Sequence, residues 1–169
     1  MKTLFTGRGK LLLGVVHLHP LPGSPRWRGD LEAVIRLAVN DARAYERGGA
    51  HAVSIENFGD VPFTKGSAGP ETVAAMAAVG RAVREAVKLP IGFNVLRNDA
   101  RAALALCVAC DGSFVRINVH TGAMLTDQGL IEGNSTLDDF LRDFPSVSRE
   151  QAIRFIELAK NALLACVSS

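Results

Sequence analysis

Short apolar runs alternate along this chain with longer segments whose apolar residues recur every three or four positions, and that alternation sets the fold class. Leu11 to Leu18 is too continuous for a strand with one wet face and suits one covered on both sides, as in a parallel sheet. After Gly29 the period changes. Leu31, Val34, Ile35, Ala38, Ala42 and Tyr45 share a helical face, Asp30 stands where it can cap the first turn, and Gly48-Gly49 closes the segment. Ala52, Val53 and Ile55 predict a second strand, and Pro70 opens a second helix carried by Val73, Met76, Ala77, Gly80, Val83 and Val87. Ile91 to Leu96 predicts a third strand, Asn98-Asp99 caps a third helix through Ala109, and Ser113 to Val119 reads as a fourth strand. Repeated strand-then-helix units of this kind predict an α/β protein with parallel strands joined by right-handed crossovers.

From Asn134 the strand-like runs stop and two helical patterns follow, Leu137 to Phe144 and Arg149 to Leu164, the second preceded by a capping box at Ser148 to Gln151. The expected internal boundary lies near residue 133, between an α/β part, 1–133, and a helical tail, 134–169.

Composition narrows the function classes. Nineteen Lys plus Arg against seventeen Asp plus Glu, spread without a basic block, give a formal charge of +2 and no electrostatic case for nucleic acid or an anionic membrane. The run from Leu11 stops at Pro20, well short of the roughly 18 residues of a transmembrane segment, and no small-residue cleavage site follows it. The three cysteines suit a reducing compartment, and the expected location is cytoplasmic. Cys107 and Cys110 form a CxxC inside an apolar helical stretch, where packed thiols are favoured over a redox pair or half a zinc site. A small molecule is the expected partner.

Four predicted strands run out into chemically capable side chains: His17 and His19, Glu56 and Asn57, Asn94, then Asn118 and His120. In parallel β/α folds ligand chemistry collects at the carboxyl ends of strands, where the loops converge. His17 and His19, two apart, share a face if the strand stays extended. They can then bind a metal together, act as acid or base with Glu56 and His120, or simply bond backbone in a tight His-Pro turn. Asn57, Asn94 and Asn118 suit the orientation of a sugar or phosphate ester. Arg97 and Arg116 either grip a phosphate or point outward. Asp127 is a base, a metal ligand or an ordinary turn residue, and Trp27 either covers a ligand or packs on a helix.

Read together, the blocks Gly14 to Pro25, Ile55 to Phe63, Gly92 to Asp99, and Phe114 to Ala123 followed by Thr126-Asp-Gln-Gly129 resemble the BtpA family, named for a factor in photosystem I biogenesis and including SgcQ-like proteins. The resemblance runs from about residue 11 to 133. It implies a TIM barrel of the ribulose-phosphate-binding type, here a partial one of four βα units. His17, His19, Glu56, Asn57, Asp60, Asn94, Arg97, Asn98, Asn118, His120 and Asp127 would face its mouth. The expected roles are catalytic for His17, His19, Glu56, His120 and Asp127, and substrate-binding for Asn57, Asp60, Asn94, Arg97, Asn98 and Asn118. No metal ligand is assigned, the cofactor is unknown, and no settled reaction carries over.

By the same resemblance a full member continues past Glu132-Gly133 through four more βα units, whereas residues 135–153 and the helix after them are similar to the carboxyl end of small uncharacterised helical proteins encoded near toxin and antitoxin genes. The expectation is a truncated or fused member. Four strands cut from a barrel leave two open edges, which a homodimer can close or the tail can cover. The alternative to an enzyme-like site is a non-catalytic assembly factor or regulatory interaction protein.

Overall fold

The computed structural model describes residues 10–64, 66–133, 137–143, 148–150 and 153. The chain divides into two compact units at Ile117/Asn118. The first holds three βα repeats and a fourth strand: β1 (Leu13–His17), α1 (Leu31–Arg47), β2 (Ala52–Glu56), α2 (Pro70–Ala86), β3 (Ile91–Asn94), α3 (Ala100–Ala109) and β4 (Phe114–Val115). All pairings are parallel and the sheet order is β1-β2-β3-β4.

Each helix starts where local chemistry supplies a first-turn partner. Asp30 accepts from the Ala33 N–H at 2.8 Å and Asp99 from the Ala102 N–H at 2.9 Å, the side-chain caps expected of aspartate, while α2 opens on Pro70. Side chains two apart on a strand share a face. Val16, Val53, Ile55, Ile91 and Phe93 therefore form one surface, and Val34, Ala38, Met76, Val79, Val83 and Leu106 from the three helices bury it. Close approach is built in: a Cβ on Gly14 would lie 2.6 Å from the Tyr45 ring of α1, and one on Gly80 of α2 would lie 2.7 Å from Phe93. The opposite surface carries Val15, Ser54, Gly92 and Phe114 in one register row and His17, Glu56 and Asn94 in the next.

The fourth strand is shorter than Ser113 to Val119. The paired residues are Phe114–Val115, flanked by one bond from the Ser113 N–H to the Ile91 carbonyl (2.8 Å) and one from the Arg116 N–H to the Phe93 carbonyl (2.9 Å). The Leu96 N–H is held by Asn57 Oδ1 at 2.8 Å and the Val95 carbonyl by the Asp99 N–H at 3.0 Å, so the loop consumes the groups a longer ladder needs.

The second unit, Asn118–Ser169, contains an antiparallel hairpin of β5 (Ala123–Thr126) and β6 (Gly129–Glu132) around Asp127-Gln128. Gly129, at φ +100°, adopts the left-handed backbone that closes the two-residue turn. α4 (Leu137–Asp143) follows, with Arg142 paired to Asp139 and Arg149 to Asp138. Most of the expected helix from Arg149 to Leu164, and Cys166, lie outside the described residues.

Candidate functional site

The register of the sheet brings three of the predicted residues level. His17 is the partner of Glu56 on the neighbouring strand, and Glu56 is the partner of Asn94 on the next. Neighbouring strands lie about 4.8 Å apart, so an imidazole, a carboxylate and an amide stand side by side on one surface. Arg116, one residue past the Val115 that pairs with Phe93, extends the row: its Nη1 donates to Glu56 Oε2 at 3.0 Å. The Glu56 side chain is only 5% exposed and the Arg116 side chain 51%, so a buried carboxylate is held by an arginine that still meets solvent. Ser54, one row below Glu56, is fully buried with no hydrogen-bond partner for its hydroxyl.

Aromatic residues flank the row. The Phe58 ring stacks on His17 with centroids 4.4 Å apart and planes at 22°, and Phe63 lies 6.1 Å beyond Phe58. Arg97 then sits over Phe63, its guanidinium carbon 4.7 Å from the ring centroid. Sequence reasoning missed Phe58 and Phe63 as site-lining residues. Their position directly after the Glu56-Asn57 strand end was the available signal.

Asn57 and Asp60 do different work from Glu56. Asn57 accepts from the Leu96 N–H and donates to Asp60 Oδ2 at 3.1 Å, and Asp60 Oδ1 accepts from the Leu21 N–H at 2.7 Å. Two buried side chains thereby tie together the loops that leave β1, β2 and β3. Burial pushes the Asp60 carboxyl above the ordinary aspartate range, against the lowering effect of the Leu21 N–H and the Asn57 amide. Asp99 makes a similar tie, its second oxygen accepting from the Ala68 N–H at 2.9 Å, and Asn98 precedes it half-buried. The bond from Thr72 Oγ1 to the Pro22 carbonyl at 3.0 Å pins the first loop to α2.

His19 parts company with His17. It lines a separate 730 Å³ cavity between the first loop and α1, with Trp27, whereas His17 lies against Phe58. Among the described residues no three His, Cys, Asp or Glu side chains gather into a metal-binding cluster. Asn118, His120 and Asp127 belong to the second unit: Asn118 and His120 are half-buried there, and Asp127 is exposed in the hairpin turn.

The CxxC is packed. Cys107 Sγ donates to the Phe114 carbonyl at 2.9 Å and Cys110 is fully buried with Sγ 3.5 Å from the Ala77 carbonyl. Burial pushes both thiols above the ordinary cysteine value, which lowers the reactive thiolate fraction at neutral pH. At pH 7 neither should react with a thiol reagent in the folded protein at more than about a tenth of its rate in urea, as read by peptide mass spectrometry. Fast labelling of Cys107 in the folded state would contradict the packing described.

The fold and the strand-end row define a parallel α/β protein with a polar surface at the carboxyl ends of its strands. The chain belongs to the BtpA family, whose model matches residues 8–157. The photosystem I biogenesis protein BtpA of Synechocystis sp. is 46% identical over 151 residues, covering 89% of this chain and 52% of that protein. An uncharacterised protein of Pyrococcus furiosus is 52% identical over 124 residues, 73% of this chain and 47% of its own. One from Methanocaldococcus jannaschii is 39% identical over 162 residues, 91% and 62%. The chain thus spans about half the length of the first two relatives and somewhat more of the third. The family match also runs past residue 133, so the likeness continues into the stretch read as a separate tail. Among the described residues no helix is long and apolar enough to cross a membrane.

Proposed function

We propose that this chain carries an acid–base site for a small polar, phosphorylated metabolite, on part of a barrel of the ribulose-phosphate-binding type. The observation that carries the reading is the level row of His17, Glu56 and Asn94 with Arg116 bonded to Glu56. Strand order supports the barrel: a doubly wound sheet reverses direction at a switch point, whereas β1-β2-β3-β4 proceeds in sequence with every strand parallel.

In this reading Glu56 is the general acid or base, oriented by Arg116, and His17 is its partner, held flat by Phe58. Asn94 orients a hydroxyl or carbonyl of the ligand. Arg97, fixed over Phe63, is the cation offered to the anionic group. Asn57 and Asp60 keep the loops in place and touch the ligand only through what they position. Asn98 stands beside Arg97 in the same loop, and His19, Asn118, His120 and Asp127 carry no step.

Ribose 5-phosphate serves as the probe. Titration calorimetry should show saturable binding that weakens at least tenfold in Glu56→Gln and in His17→Ala, since a hydrogen bond to a charged group contributes about 1.5–3 kcal/mol. Circular dichroism should be unchanged in both. Wild-type affinity in both folded variants would remove the site.

A second reading, a non-catalytic assembly protein, draws on α3, where Leu104 and Val108 are 54% and 86% exposed one turn apart. It also draws on the Synechocystis relative, which is named for photosystem I biogenesis. The strand-end row favours the first reading, because assembly requires no buried carboxylate held level with an imidazole.

A further inference from the structure

The loop between β1 and α1 builds a second cavity that the strand-end row does not use. It measures 730 Å³ and is lined by His19, Arg26, Trp27 and Arg28 on one side, with Val34 and Leu37 of α1 on the other. The loop is held in place. The Ser24 N–H donates to the Leu21 carbonyl at 3.0 Å, the Trp27 N–H to the Ser24 carbonyl at 3.1 Å, and the Leu21 N–H to Asp60. Trp27 is half-buried against the hydrophobic core, so its indole is fixed before any ligand arrives.

Charge and shape then select the ligand. Among the described residues neither Arg26 nor Arg28 makes an ion pair, and the Asp30 carboxylate, which also lines the cavity, accepts from the Ala33 N–H in the first turn of α1 through one oxygen. Two exposed arginines thus flank Trp27 in the chain and line the cavity with it, while Val34 and Leu37 supply apolar surface. Guanidinium forks match phosphate and carboxylate oxygens, and an indole face favours a flat ring. The volume lies within the range of small-molecule sites, which take ligands of about 300–1,000 Å³.

We propose that this cavity binds a flat ring carrying an anionic group, in the manner of a nucleoside monophosphate, with the ring on Trp27 and the anion between Arg26 and Arg28. The proposal is independent of the acid–base site, because none of these residues belongs to the strand-end row.

Trp27 is the only tryptophan in the chain, so its fluorescence reports on this cavity alone. The full chain is titrated with adenosine 5′-monophosphate, adenosine and ribose 5-phosphate. The expected result is saturable quenching by the monophosphate, with adenosine and ribose 5-phosphate each at least about tenfold weaker. The exposed pair Arg26→Ala with Arg28→Ala should weaken the monophosphate at least about tenfold and leave adenosine within about twofold. Leu37→Glu, which puts a carboxylate on the floor, should weaken the monophosphate while circular dichroism stays unchanged. No saturable quenching, equal quenching by ribose 5-phosphate, or wild-type affinity in the folded double variant would each overturn the proposal. Failure of ribose 5-phosphate to respond to Glu56→Gln would strike only the strand-end site.

Discussion

Asp60→Ala should destabilise the protein by about 4 kcal/mol, because it leaves two buried donors unpaired and each costs about 1–3 kcal/mol. The donors are the Leu21 N–H and the Asn57 amide, and Leu21, Asn57 and Asp60 are all buried. Asp60→Asn keeps an oxygen for Leu21 but sets an amide against the Asn57 amide, so it should lose about half as much. Urea unfolding followed by circular dichroism measures both. Equal midpoints for wild type and Asp60→Ala would mean that the three loops are not joined through this residue.

The same pair of proteins tests the electrostatics. Burial raises the Asp60 carboxyl in the folded state above its unfolded value, so the folded state binds the proton more tightly. Stability from this group is then fully present below the unfolded aspartate value and falls as pH rises through the raised folded value. Asp60→Asn has nothing to titrate there. The advantage of wild type over Asp60→Asn should therefore shrink as pH rises through that window, and a widening gap would show that hydrogen bonding outweighs burial at this site.

Much of the first unit was legible because strands and helices announce themselves by period and by their ends. Asp30, Pro70 and Asp99 each stand where the structure begins a helix, since a cap needs only local geometry. The row of His17, Glu56 and Asn94 was visible as polar strand ends, but their common level was not, because register is fixed by pairing between segments far apart in the chain. The separation of His19 from His17 was hidden for a related reason. Residues two apart share a face only while the strand continues, and β1 ends at His17. The loop ties made by Asn57 and Asp60 were equally hidden: an Asn and an Asp at a strand end look alike whether they meet a ligand or another loop's backbone.

Gly59→Ala should cost about 3 kcal/mol and displace the end of β1 that carries His17. A Cβ at Gly59 would lie 2.5 Å from the Leu18 carbonyl oxygen, 2.7 Å from the Pro20 nitrogen and 2.8 Å from the His19 carbonyl carbon. All three are backbone atoms, so no side-chain rotation relieves the contact, and overpacking of this kind typically costs about 1–3 kcal/mol. Separating the two segments also strains the bond from the Gly59 N–H to the Leu18 carbonyl, 2.9 Å, and the neighbouring tie from Asp60 to Leu21. Gly69→Ala is the matched control. The three atoms nearest its Cβ all belong to the Glu71 side chain, whose carboxylate end can swing away, and Gly69 has an ordinary extended backbone. That variant should stay within about 1 kcal/mol of wild type. A urea midpoint for Gly59→Ala equal to that of Gly69→Ala would show that the exits of β1 and β2 are not in contact, and without that contact the stacking of Phe58 on His17 has no support.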